Sequence, residues 1–467
     1  MKREKELVKN TLILSIGRFL PRLFGIITLP IVTGHLTKVE YGTYDLVTSL
    51  VSLVFPIATL QIGSAAFRFL IDCRGDKQRE GMVITNILAV TIPTSIIAII
   101  GLLVYLHDQP ISTRILISLY FFADIYILTI QQIVRGLSYN KCYSVSSVLN
   151  SAFFCMTIIA TLLIRDDGLN GVLAAHVIGY FAAQLYLSKK INLHKYIKRK
   201  YLSIKTIKEL VSYSWPMIPN NLSSWVLKMS DRFVILSFIG VEANAVYAVA
   251  NKIPNLFTQI QGVFIMAWQE NASIVSKDED ATEYYSKMFE STFRMLSGIM
   301  SLMIAATPIM FELLIKGDYA DAYIQIPILY MAVFFSCMSS FQGGIYIAYK
   351  RTKSVGITTI IAAVCNLLVD LLLVNAIGIT AGSISSLVSY IFLYLYRLFD
   401  VQKIQKIHYN FKLLVGGVLL LCVMCMICCM QNIYLNIVNI LIGVAFAILL
   451  NVDIIKATIS QGRRYFK

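Results

Sequence analysis

Apolar stretches of about 18 to 25 residues recur from one end of this 467-residue chain to the other, and a run of that length crosses a bilayer as a helix. A membrane barrel would instead read as alternating strands of about ten residues separated by turns. The stretches fall at 10–34, 43–71, 82–106, 114–138, 144–164, 168–188, 210–239, 243–268, 288–315, 322–349, 354–375, 378–399, 411–430 and 433–455. With 57% hydrophobic and 14% charged residues, the chain is excluded from the soluble globules. The expected fold is an all-α polytopic membrane protein of about 14 transmembrane helices.

The formal charge of +15 points to nucleic acid only if the basic residues gather in a polar domain. They do not. With a cytoplasmic N-terminus, 29 of the 41 Lys and Arg fall in or beside the inner segments, and the outer loops hold Lys38, Arg114, Arg165 and Lys316. That asymmetry is what the positive-inside rule expects, and it sets both termini in the cytoplasm. The richest inner segment, KKINLHKYIKRKYLSIKTIK at 189–208, has eight basic residues and no acidic one. It reads as a topology signal with attraction to anionic membrane lipids, and no nucleic-acid partner is expected. The opening MKREKELVKN leads into a full-length span without a cleavage site, so it reads as an uncleaved first turn. The five His are scattered, and Cys422, Cys425, Cys428 and Cys429 sit in an apolar run. No metal site or cofactor is expected.

Charges inside the spans are expensive and mark function. In the first span Arg18 and Arg22 share a face, with Pro21 between them. In the seventh, Asn221, Ser224, Trp225, Lys228, Asp231 and Arg232 fall on one side. In the eighth, Asn244, Tyr247, Asn251, Asn255, Thr258 and Gln259 form a stripe with Lys252 at its edge. Two polar stripes on consecutive spans suggest a shared wet chamber; the alternative for Asp231 and Arg232 is a pair at the headgroups. Arg294 lies a short way into the ninth span, and Arg68 and Arg135 lie near the inner ends of theirs. The acids are fewer: Asp124, Asp231 and Asp370, the last sharing a face with Asn366. Surplus positive charge matches an anion, and guanidinium groups chelate phosphate oxygens. The three acids are candidates for coupling to a proton or sodium gradient, or simply bond to neighbouring helices.

After the basic segment the pattern restarts. GVEANAVY (240–247) echoes KVEYGTY (38–44), and GITAGSISSLVSY (378–390) echoes GLNGVLAAHVIGY (168–180). The expected organisation is a six-helix bundle at 1–188, a basic cytoplasmic linker at 189–208, a second six-helix bundle at 209–399, and two peripheral helices with a tail at 400–467. Halves with an even number of spans are related by an axis along the membrane normal, with the substrate between them.

LVSYSWPMIPNNLSSWVLKMSDRFVIL followed by GVEANAVYAVANKI, together with LPIVTGHLTKVEYGTYDL, the RG after the fourth span and NLLVDLLLVNAIGITAGSISS, resembles bacterial polysaccharide flippases of the Wzx type. These belong to the multidrug/oligosaccharidyl-lipid/polysaccharide (MOP) exporter superfamily. The chain departs from the family at Asp370, where an amide is usual, and at Ala245, where a glycine is usual. The resemblance implies alternating-access translocation of an undecaprenyl-diphosphate-linked oligosaccharide across the bacterial cytoplasmic membrane, without covalent chemistry, alongside glycosyltransferases and a polysaccharide polymerase. The diphosphate would then meet Arg18, Arg22, Lys228, Arg232, Lys252 and Arg294, and the sugars Asn221, Asn251, Asn255 and Gln259. A membrane glycosyltransferase would need catalytic acids on a substantial outer loop, and the outer loops here are short. Two alternatives stay: a lipid-linked peptidoglycan-precursor flippase, which shares the basic interior, and a MATE-type multidrug or cation antiporter of the same superfamily, which should carry an acid-rich cavity instead.

Overall fold

A computed structural model describes the backbone over residues 2–276 and 278–465, and the side chains of all residues except 1–16, 18, 220, 263, 266, 267, 270, 277, 352 and 453–467. Among the described residues there is no strand. The helices are α1 (Lys2–His35), α2 (Lys38–Ala58), α3 (Ile62–Asp72), α4 (Lys77–Tyr105), α5 (Ile111–Gly136), α6 (Asn140–Ile158), α7 (Gly168–Lys190), α8 (Ile204–Ser214), α9 (Met217–Phe238), α10 (Val241–Ala250), α11 (Lys252–Val275), α12 (Ala281–Leu314), α13 (Ala320–Ala348), α14 (Thr352–Ile377), α15 (Thr380–Asp400), α16 (Phe411–Cys429) and α17 (Ile433–Tyr465).

Among the described residues, eleven of the helices are long and apolar enough to cross a membrane: α2, α4 to α7 and α12 to α17. The three remaining expected spans are where the polar residues sit. The first lies in α1, whose described apolar run is Phe19–His35. The stretch 210–239, expected as one span, is divided between α8 and α9 at Trp215–Pro216, and 243–268 is divided between α10 and α11 at Asn251. The stretch 43–71 is also two helices, separated where Leu60 and Gln61 take left-handed conformations (φ 49° and 53°).

The chain forms two compact units, Met1–Trp225 and Val226–Lys467, with the division falling inside α9. In the first unit, α2 starts with a capping box, Thr37 and Glu40 bonding each other's backbone N–H. Asp76 caps α4. Ile62, Ala66, Leu70, Ile84, Ile130, Val134 and Leu187 form its fully buried core. The segment 189–208, expected as a linker, is packed into this unit: Leu193 and Tyr196 are in the core, and Thr85 donates to Tyr196 O at 2.8 Å.

In the second unit α13 is the axis. Its apolar window is 72% buried, and its one charged residue, Asp321, stands in its first turn. Trp268 stacks on Phe341 at 4.1 Å and donates its indole N–H to Phe341 O at 2.8 Å. The last two helices belong to this unit: Gly417 of α16 is in close approach to the Phe293 ring, and Ser301 donates to Gly443 O of α17 at 3.1 Å.

Candidate functional site

The site in the second unit is created by helix breaks. Gly240 turns the chain from α9 into α10 at φ 119°, a backbone that disfavours any side chain. Eight residues of α10, Ala243 to Ala250, are buried. The helix then stops at Ala250, the residue whose carbonyl Pro254 would have to bond; proline has no N–H to give and its ring crowds that oxygen. Asn251 occupies the break, donating from its amide to Tyr247 O at 2.9 Å. Asn251 keeps helical dihedrals (φ −70°, ψ −17°), and the Asn255 N–H still reaches Asn251 O at 3.0 Å, so the interruption is a kink of one residue; interrupted helices are where transporters place their ligands.

Around this break lies a chamber of about 400 Å³. Its polar lining comes from Lys228, Asp231 and Arg232 on α9, Tyr247 on α10, Asn251, Asn255, Thr258 and Gln261 at and beyond the break, Ser336 and Ser340 on α13, and Ser386 and Tyr390 on α15. Lys228 is exposed, and among the described residues it has no ion-pair partner. Asp231 is 2% exposed and is held by hydroxyls: Tyr247 and Ser386 each donate to it at 2.7 Å and Ser385 at 3.3 Å. It is therefore not the headgroup pair with Arg232 that the sequence left open.

Behind Asp231 the polar chain continues. Ser385 also accepts from Asn366 at 3.5 Å, and Asn366 accepts from Ser230 at 2.8 Å. One turn along α14 from Asn366 stands Asp370, fully buried, with neither carboxylate oxygen bonded. A buried carboxylate without a partner is costly, so this position is suited to a cation or a proton.

The other predicted residues are dispersed. Lys252 and Gln259 stand on α11 outside the lining, to which Gln261 of the same helix contributes. Arg294 is paired along its own helix with Glu290; an i,i+4 carboxylate neutralises it, and it does not line the chamber. Arg68 is paired with Asp72 in the same way, and Arg135 lies over the Phe67 ring at 4.8 Å. Asn221 belongs to the first unit and donates to Met217 O at 3.1 Å. There Arg22 stands over the Phe19 ring at 5.3 Å, the Arg18 side chain lies outside the described residues, and Asp124 lies on α5 one turn from Tyr120, which stacks on Tyr180.

Ser336, Ser340, Ser386 and Tyr390 were not anticipated. Their signal was present, since both pairs lie four residues apart and so share a helix face. The larger omission is Arg397. It is 4% exposed, with donors to Thr358, Thr359, Ser339 O and Val355 O at 2.9 to 3.3 Å, so it clamps α13, α14 and α15 together.

Interrupted helices, a polar chamber and spans throughout define a multi-pass membrane protein with the architecture of a transporter. The model of the family described as polysaccharide biosynthesis protein matches residues 7–269. The chain belongs to that family. No curated protein matches it. Among solved structures it is similar to the lipid II flippase MurJ in an inward closed conformation, with TM-score 0.69 and 16% identity over 96% of this chain and 100% of that one. It is similar to an inward-facing multidrug resistance MATE family transporter of the MOP superfamily, with TM-score 0.64 and 15% identity over 81% of this chain and 98% of that one. A MOP superfamily transporter from Pyrococcus furiosus, described as having a binding pocket of reverse polarity, gives TM-score 0.58 and 14% identity over 85% of this chain and 95% of that one. The fold is that of the MOP superfamily.

Proposed function

We propose that this protein is a flippase for an undecaprenyl-diphosphate-linked oligosaccharide repeat unit, moving it from the inner to the outer leaflet of a bacterial cytoplasmic membrane for surface polysaccharide synthesis. The observation that carries the reading is the Lys228 ammonium, with the Arg232 guanidinium one turn along α9, at the wall of a chamber whose other polar lining is amides, hydroxyls and the hydroxyl-held Asp231 carboxylate. Lys228 and Arg232 bind the diphosphate, with Arg22 and Lys252 as further anion contacts on the transport path. Asn251, Asn255, Thr258 and Ser336 bond sugar hydroxyls, and the prenyl tail stays in lipid. No bond is made or broken. Asp370, with Asp231 and Asn366, takes up a proton or sodium ion whose gradient drives the cycle; a cation bound in one conformation and released in the other supplies the differential affinity that alternating access requires.

A peptidoglycan precursor is the second reading, favoured by the full-length likeness to MurJ. Both substrates share the diphosphate and differ in the headgroup. Proteoliposomes holding a fluorescent undecaprenyl-diphosphate oligosaccharide test the proposal: the purified protein should expose the label to an external quencher within minutes. Transport of a labelled peptidoglycan precursor alone selects the second reading. Movement of neither contradicts both.

A further inference from the structure

The basic segment 189–208 is folded in a way a topology signal does not need. Asn86, fully buried in α4, donates to Tyr201 O at 2.8 Å and accepts from Ser203 N at 2.9 Å. Thr85 donates to Tyr196 O at 2.8 Å, and Lys77 donates to the Tyr196 hydroxyl at 2.9 Å. Both ends of the 196–203 run are thus pinned to the first unit. Charge alone sets topology, so the fixed conformation requires another reason.

The pinned segment turns apolar and basic side chains outward together. Ile197 is 46% exposed, Leu202 50% and Ile204 86%. The nearby acids are already engaged, Asp72 by Arg68, Glu80 by Lys77 and Asp76 by Arg79. Among the described residues, none of the eight basic side chains at 189–208 has a carboxylate partner. Beside them lies a groove of about 650 Å³ between α3 and α8, lined by Phe69, Lys205, Lys208, Glu209, Ser212 and Tyr213. Trp215, next to α8, is 56% exposed.

We infer that this face of the first unit is a binding site for an anionic phospholipid of the adjoining leaflet. Its phosphate sits on Lys205 and Lys208, and its acyl region covers Phe69 and the exposed apolar side chains. Two ammonium groups against one carboxylate, Glu209, leave a net positive groove, and a headgroup carrying net negative charge fits it where a zwitterionic one does not. The site uses no residue of the chamber and does not depend on what the chamber carries.

Trp215 is the reporter. The full chain is reconstituted in vesicles containing brominated phosphatidylglycerol or brominated phosphatidylcholine at equal fraction, and the quenching that Trp215→Phe removes is assigned to this site. About a fivefold preference for phosphatidylglycerol is expected, from the attraction of a basic side chain near an anionic surface. The preference should vanish in K205Q/K208Q and persist in K205R/K208R. Equal quenching by the two lipids in the unmodified protein overturns the inference. So does a preference that survives K205Q/K208Q, or one lost in K205R/K208R, where the charge remains.

Discussion

Three cations show how burial and partners decide a residue's work. Arg397 is enclosed with its donors met by hydroxyl and carbonyl oxygens, Arg294 is neutralised by Glu290, and Lys228 faces the chamber without an ion-pair partner among the described residues. Removing Arg397 strands buried acceptors, so Arg397→Ala should destabilise the protein by about 3 kcal/mol, seen as loss of folded material on heating in detergent. Asp370 should behave oppositely. Asp370→Asn relieves a buried carboxylate with no bonded oxygen, so resistance to heat should hold or rise while transport loses its response to an imposed proton or sodium gradient. A transport rate that still follows the gradient would detach Asp370 from coupling. None of this sorting was legible from the chain alone. Asp231 is satisfied by Tyr247, Ser385 and Ser386, and those partners come together only when α9, α10 and α15 pack.

At the scale of the element, the spans were legible because a length of about 20 apolar residues has one physical meaning. The breaks were less so. Pro254 stands in plain view, yet 243–268 reads as one continuous apolar run because α10 and α11 are collinear in composition. The polar stripe predicted through Asn251 and Asn255 lines the chamber, and Gln261 stands in the lining where Gln259 does not. Pro254→Ala restores the missing N–H and should extend α10 into α11. Transport should then fall about tenfold or more with little loss of stability, measured in the proteoliposome assay beside a thermal unfolding curve. Unchanged transport would mean that the interruption is incidental.

Across the whole molecule, the two compact units, the family match over 7–269 and a likeness to MOP transporters that spans most of the chain describe one membrane protein. The charge that reads as a topology signal also hid a folded surface, because 189–208 reads as a basic cytoplasmic linker until Asn86 is seen to hold it. The central claim is that the chamber in the second unit captures a diphosphate through Lys228. The most direct test is the affinity of the detergent-purified protein for undecaprenyl diphosphate, measured against undecaprenol, for the unmodified chain and for Lys228→Ala. The account predicts clear preference for the diphosphate and at least about a tenfold loss in the variant, in the range of one charge-assisted contact. Equal affinity for diphosphate and alcohol, or a variant that binds as well as the original, would contradict it.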